Sequence, residues 1–131
     1  MFKGGKKMVE VKDFKAGDCN TLWNINRNAF RKSLKKESYE DFKSIVENSI
    51  GKVIFLENEI IGAIFLKAQN DSGVFKVEKL FIAPKYQNRG LGYFILTHLS
   101  EEDNSIKKLE LDVDESSLKA KKFCEKMKKE I

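Results

Sequence analysis

The stretch from 74 to 113, VFKVEKLFIAPKYQNRGLGYFILTHLSEEDNSIKKLELDV, narrows the folds open to this chain more than any other. Its first part, 74–82, reads as a strand. Pro84 then ends strand pairing, because proline has no N–H to donate. Residues 90–100 follow with helical spacing: Leu91, Ile95 and Leu99 share one face, with Phe94 and His98 beside it. Residues 107–113 alternate apolar and polar side chains, which marks a second strand. Two strands joined by a crossover helix form a parallel pair.

The remaining segments build a sheet around that unit. Residues 8–14 alternate as a half-buried strand does, and Gly17 and Asp18 offer a turn and an N-cap. Leu22, Ile25, Ala29 and Phe30 recur with helical spacing. Ser38 followed by Asp41 comes close to a capping box opening a second helix, whose inner face is Phe42, Ile45, Val46 and Ser49. KVIFLENEIIGAIFLKAQ reads as two strands about a tight turn at 57–59, and NDSG at 70–73 is a stronger turn signal before the third. These three strands form an antiparallel meander. Ser116 or Ser117 can cap a last helix with Ala120, Phe123, Cys124 and Met127 facing inward. The element order is then β-α-α-β-β-β-α-β-α, an α/β fold with a mixed central sheet and flanking helices.

The chain has 131 residues, a length that suits one domain and can bury roughly 68% of its unfolded surface. Residues 1–7 read as a flexible leader and 8–131 as the domain. The net charge is +5, yet the arginines are only Arg27, Arg31 and Arg89. Nucleic-acid readers lean on arginine forks and clustered basic stripes, whereas here lysines interleave with acids. No nucleic-acid partner is expected. The charge suits a solvated surface, or mild attraction for an anionic ligand such as a nucleotide. Cys19 and Cys124 stand far apart, with no CxxC spacing and no His/Cys cluster, so no metal site is expected. That cysteine usage fits a reduced, cytoplasmic protein. MFKGGKKMVEV lacks the apolar core of a signal peptide, and no apolar run approaches ~18 residues, so no membrane partner is expected.

QNRGLG at 87–92 places two glycines where strand gives way to helix. Such glycines can serve the turn alone. They sit at the helix start, however, and not past its end where a capping glycine belongs. A glycine there lets a ligand approach the backbone. The first helical N–H groups have no internal partners and point outward. The positive end of the helix dipole suits a phosphate. Hydrogen bonds to a charged group are worth about 1.5–3 kcal/mol each, against about 0–1 kcal/mol for an exposed lysine pair. Aligned amides would therefore dominate a phosphate site here. A Walker A loop needs Lys and Ser/Thr after its last glycine, where this chain has Tyr93 and Phe94. A dinucleotide fingerprint needs a third glycine, where this chain has Ile95.

A third pattern fits. LFIAPKYQNRGLG followed by YFILTHL resembles the acyl-CoA signature of the GNAT superfamily of N-acetyltransferases. The signature's core is Gln/Arg-x-x-Gly-x-Gly/Ala after a strand and a proline turn, here Gln87-x-x-Gly90-x-Gly92 with Pro84 at the turn. The element order is that family's order too, and the resemblance covers roughly residues 9–127. It implies that the amides of Gln87, Asn88, Arg89, Gly90, Leu91, Gly92 and Tyr93 hold the pyrophosphate of acetyl-CoA. It also implies a pantetheine arm along Leu80, Phe81 and Ile82, with a backbone N–H among them polarising the thioester carbonyl. The implied reaction is direct attack on the acetyl thioester by an amine of a small-molecule or peptide acceptor. Glu78 stands where some relatives carry the base that deprotonates this amine. Alternation puts Glu78, Leu80 and Ile82 on one face and Lys79 and Phe81 on the other. An apolar wall would suit Glu78 to base work. A solvated strand-edge carboxylate is the plainer reading.

The chain departs from the family at its end. Relatives often open the last helix with Asn-x-x-Ala-x-x-Phe-Tyr, and here the run is Ser117-x-x-Ala120-x-x-Phe123-Cys124. Ser117 and Phe123 are counted among the implied CoA contacts. Cys124 replaces the tyrosine that usually protonates the leaving thiolate. A thiol of ordinary pKa, about 8.5, can donate a proton, and Cys124 can equally be a small buried hydrophobe. Relatives also continue into two more strands, whereas this chain stops at FCEKMKKEI. The usual C-terminal strand pair is expected to be lacking, either truncated or supplied by a partner. An open edge at 107–113 then points to a homodimer. The alternative to a transferase is a non-catalytic CoA-binding or regulatory module.

Three further aromatic positions and one histidine remain. His98 is expected to pack or to complement the helix dipole. Trp23, Phe30 and Tyr39 are expected in the core, and the resemblance places Phe30 and Tyr39 near the acceptor.

Overall fold

Residues 50–82 fold as the meander that their turn signals require. The computed structural model describes residues 9–30 and 36–111. Its elements are β1 (Val9–Asp13), α1 (Cys19–Ala29), α2 (Tyr39–Glu47), β2 (Ile50–Leu56), β3 (Glu59–Ala68), β4 (Val74–Ile82), α3 (Leu91–Glu102) and β5 (Lys108–Leu111). The sheet order is β1-β2-β3-β4-β5. Neighbours pair antiparallel except β4 and β5, which are parallel. The expected mixed sheet and element order hold through β5. The expected last helix, with Ser117, Ala120, Phe123, Cys124 and Met127, lies outside the described residues.

Local chemistry sets the boundaries. Ser38 caps α2, its Oγ accepting the Asp41 N–H at 3.1 Å. Asp18 stands at the N-cap of α1 but makes no cap bond. Its carboxylate instead accepts the Lys15 N–H at 3.1 Å and closes the turn before the helix. Glu57 and Asn58 join β2 to β3 with φ of 50° and 69°. Positive φ at both residues matches the twist of the flanking strands. At the next turn Gly73 takes φ of 83°, and its carbonyl accepts the N–H groups of Lys107 and Lys108, which starts β5 alongside β4.

Residues 61–66 of β3 are buried without a break, as a central strand covered on both faces must be. On one face, α3 sets Leu91, Ile95, Leu96 and Leu99 against Ile54, Ile61, Ile64, Leu66, Val77 and Ile82. On the other, Leu22 of α1 and Phe42 and Val46 of α2 cover Val53, Ala63, Phe65 and Phe81. Each such side chain contributes about 1.5–3 kcal/mol when fully buried. Phe30, expected in the core, is 45% exposed. The fully buried positions of α1 are Leu22 and Asn26, with Ile25 and Ala29 partly buried against the same core as expected, and Asn26 holds its place through polar partners described below.

Candidate functional site

The connection from β4 to α3 is built in steps. The Ala83 N–H reaches the Ile61 carbonyl at 2.8 Å, so the chain stays anchored to β3 one residue beyond the strand. A 3-10 turn over Pro84–Tyr86 follows. It is closed by Tyr86 N–H to the Ala83 carbonyl at 2.9 Å and Gln87 N–H to the Pro84 carbonyl at 3.2 Å. Asn88 and Gly90 then adopt φ of 66° and 78°. Left-handed residues two apart curl the backbone, and such curls gather N–H groups into concave anion sites.

Gly90 is the N-cap of α3, and among the described residues no side chain caps that end. The first helical bond runs from the Phe94 N–H to the Gly90 carbonyl, 2.9 Å. The amides of Leu91 and Gly92 therefore lie ahead of the helix's own ladder. A Cβ built on Gly90 meets nothing within 4 Å, but it would sit on a backbone of φ +78°. Glycine is needed there for conformation, with open space in front of it. Gly92 lies inside the first turn of α3. Residues 87–90 are exposed. Lys85 and Arg89 lie over the Tyr86 ring at 5.1 and 5.5 Å, so two cations stand beside the curl.

The strand that feeds this loop is irregular. Leu66 pairs with Val77 and Phe65 with Lys79, so Glu78 is an extra residue, a β-bulge. Simple alternation through Glu78, Leu80 and Ile82 therefore fails at Glu78. Val77 and Leu80 both pack on the α3 side although three positions apart. Lys79 and Phe81 face α1 and α2 as expected. Among the described residues, β4 pairs with β5 from Val74–Lys108 to Val77–Leu111. Beyond it the Ala83–Ile61 bond fixes the direction of the peptide groups. In an antiparallel ladder they alternate, so the groups of Leu80 and Ile82 point away from β3, toward the β5 side. The backbone groups of Leu80 and Ile82 thus face the β5 side, and those of Phe81 face β3.

Sequence reasoning missed a polar cluster on the α1/α2 side. Lys79 Nζ donates to Glu37 Oε1 at 2.8 Å and to Asn26 Oδ1 at 3.3 Å. Asn26 Nδ2 donates to the same Glu37 oxygen at 2.8 Å. The Lys79 and Glu37 side chains are 11% and 23% exposed. Lys79 Nζ also lies over the rings of Phe30 and Phe42 at 5.6 and 5.8 Å. The signal was present in two places. A lysine interrupts the apolar run at 79, and an asparagine occupies 26, one turn beyond Leu22 on the inward face.

Other singled-out residues fall in place. His98 stacks on Phe94, with centroids 5.7 Å apart at 24°, which is the packing role expected of it. Trp23 packs edge-on to Tyr39 at 5.5 Å. The Cys19 thiol lies 3.8 Å from the Tyr39 hydroxyl, and that contact raises the phenol above its ordinary range. Cys19 and Tyr39 line a cavity of about 320 Å³ with Phe14, Lys43 and Glu47, and no residue of the 87–92 loop borders it. Among the described residues no group of three or more His, Cys, Asp or Glu is arranged to hold a metal. Among them, too, no helix is long and apolar enough to cross a membrane. Ser117, Phe123 and Cys124 lie outside the described residues.

Several solved structures share this fold. Among solved structures, the ribosomal-protein-S18-alanine N-acetyltransferase of Escherichia coli is similar at TM-score 0.77 and 20% identity, covering 92% of this chain and 76% of that one. The PaiA N-acetyltransferase of Thermoplasma acidophilum, in complex with coenzyme A, follows at 0.74 and 17%, covering 91% and 87%. A GNAT family acetyltransferase of Elizabethkingia anophelis with acetyl-CoA bound gives 0.72 and 21%, covering 91% and 74%. These likenesses show the fold. No curated protein matches the chain. The model of the acetyltransferase (GNAT) family matches residues 19–128, most of the length, and this chain belongs to that family.

Proposed function

We propose that this protein transfers an acetyl group from acetyl-CoA to a primary amine. The observation that carries the reading is the curl at Asn88 and Gly90, set at the end of a bulged strand and just ahead of the uncapped amides of α3. Those amides fit a pyrophosphate. The backbone of Leu80 and Ile82 fits an extended pantetheine arm added along the strand. Two of the similar structures hold CoA or acetyl-CoA, which supports the same ligand here.

Acetyl-CoA supplies an activated acetyl thioester. An amine arriving as an ammonium must first lose a proton, and Glu78, half-buried at the bulge, is the carboxylate proposed to take it. A backbone N–H of Leu80 or Ile82 stabilises the charge that builds on the carbonyl oxygen. The resemblance assigns Cys124 the proton for the departing thiolate. The acceptor approaches from the side of Phe30, Glu37 and Lys79, across β4 from α3.

Calorimetric titration of acetyl-CoA into the native protein and into Gly90→Asp tests the loop. The aspartate adds a carboxylate where the pyrophosphate should sit, and affinity should fall about 100-fold or more. Equal binding by both proteins would remove the loop from the site. CoA release in the presence of an amine panel then separates a transferase from a binding module. With an active amine in hand, Glu78→Gln should lower kcat by about 100-fold or more. An unchanged kcat would take Glu78 out of the mechanism.

A further inference from the structure

We infer that the Gln87 side chain is a positioning latch that holds the 87–92 loop in its ligand-ready shape. This rests on the proposed CoA reading and assigns that site a residue acting through its side chain, apart from the backbone amides. The Gln87 amide nitrogen, Nε2, donates to the Ile82 carbonyl at 2.9 Å. A carbonyl only accepts, so the NH2 end of the amide is the end that faces it.

The geometry explains why this contact matters. Ile82 is the last residue of β4, and its carbonyl points away from β3, so the sheet offers it no antiparallel partner. Gln87 lies five residues on, across the 3-10 turn of Pro84–Tyr86. Its own backbone is extended, φ −71° and ψ 161°, and the next residue, Asn88, is left-handed at 66°. The side chain therefore ties the strand end to the residue that enters the curl.

Ordering a backbone residue costs conformational entropy. A loop already closed by a side chain spends less of its binding energy on ordering. One net hydrogen bond sets the scale of the effect, about 3–10-fold in affinity. Length and donor character are both required. Asparagine is one methylene too short, glutamate offers no donor at neutral pH, and arginine can reach with an N–H.

The test is calorimetry of CoA with native protein, Gln87→Leu, Gln87→Glu and Gln87→Arg, with a melting curve for each. Gln87 is exposed, so all four should melt together. Leu and Glu variants should bind CoA about 3–10-fold more weakly, while Gln87→Arg should stay within about twofold of native. Native-like affinity in Gln87→Leu would overturn the latch and leave the CoA reading standing. Equal weakening in all three would overturn the donor role. Absence of CoA binding by the native protein would overturn the CoA reading and, with it, the latch's proposed purpose. Amide exchange at residues 88–92 of the free proteins gives a second readout. Faster exchange in Gln87→Leu than in native protein supports the latch, and equal exchange contradicts it.

Discussion

Behind α3 the core is aliphatic, with Ile54, Ile61, Ile64, Leu66, Ile95, Leu96 and Leu99 in mutual contact. Under α1 and α2 it is aromatic, with Phe42 and Phe65 each meeting Phe81 and the Lys79 ammonium lying over the Phe42 ring. The aliphatic side has little directional preference and, among the described residues, no buried polar side chain to satisfy. It gives α3, and the loop that opens it, a firm seat. The aromatic side has preferred ring angles and a three-member polar cluster. That cluster joins α1, the residue before the cap of α2, and β4 just past its bulge. One face thus holds the proposed CoA loop by packing, while the other fixes the proposed acceptor side by geometry and charge.

Truncating one side chain on each face tests whether the difference is energetic. Phe42→Ala removes a fully buried ring that meets Trp23 at 5.3 Å and Phe81 at 6.2 Å. The expected loss is about 4–5 kcal/mol, at the upper end for phenylalanine because the ring contacts add to the cavity cost. Leu96→Ala, also fully buried, should lose about 3 kcal/mol. Denaturant unfolding of both variants measures the gap. A larger loss for Leu96→Ala would show that the ring geometry adds nothing.

The polar cluster gives the next largest effect. Glu37→Leu leaves the Lys79 ammonium, 11% exposed, without its carboxylate. A fully buried pair broken this way costs 3–5 kcal/mol, and partial exposure of Glu37 brings the expected loss to about 2–3 kcal/mol. Glu37→Leu combined with Lys79→Met removes both charges, and at least half of that loss should return. If the double variant is no better than the single one, the cluster is a stability device rather than a positioning one.

Much of this frame was legible in the residues, and the misses have physical causes. The meander, the crossover and Ser38's cap follow from alternation, turn chemistry and a side-chain oxygen at the right place. The bulge at Glu78 was not legible. Periodicity is read one residue at a time, and a bulge shows only when a partner strand supplies the register. Asn26 broke the expected apolar stripe of α1 because a buried amide is tolerated only with partners, and those sit 11 and 53 positions away in sequence. The motif places Gln87 in the loop between β4 and α3. Its side-chain role depends on where the Ile82 carbonyl points, which a motif does not encode.

A substitution outside both cores provides a control. Glu57 adopts φ of 50° at the β2–β3 turn, a conformation that asparagine tolerates better than a long side chain. Glu57→Asn should stabilise the fold by about 0.5–1 kcal/mol. It should add independently to Phe42→Ala and to Leu96→Ala, since distant sites seldom couple. Unequal additivity would mean that the hairpin transmits strain to one face more than the other.

The smallest effect comes from an exposed ion pair and sharpens the contrast with the buried one. Asp13 of β1 pairs across the sheet with Lys52 of β2. The Lys52 hydrogen bond and charge hold the Asp13 carboxyl below its ordinary 3.8. A depressed folded-state pKa means that the unfolded chain binds the proton more readily. The pair's contribution is therefore present above the ordinary value and is lost as the pH falls through the lower, folded one. Asp13→Asn should melt slightly below native protein near neutrality and together with it in strong acid, which melting curves between pH 2 and 7 would show. Salt supplies the second arm. At about 1 M the screening length is near 3 Å, so the Asp13→Asn difference should vanish while the Glu37→Leu loss persists. A Glu37→Leu loss that salt also erased would place that cluster in water, and the two faces of the sheet would differ in shape alone.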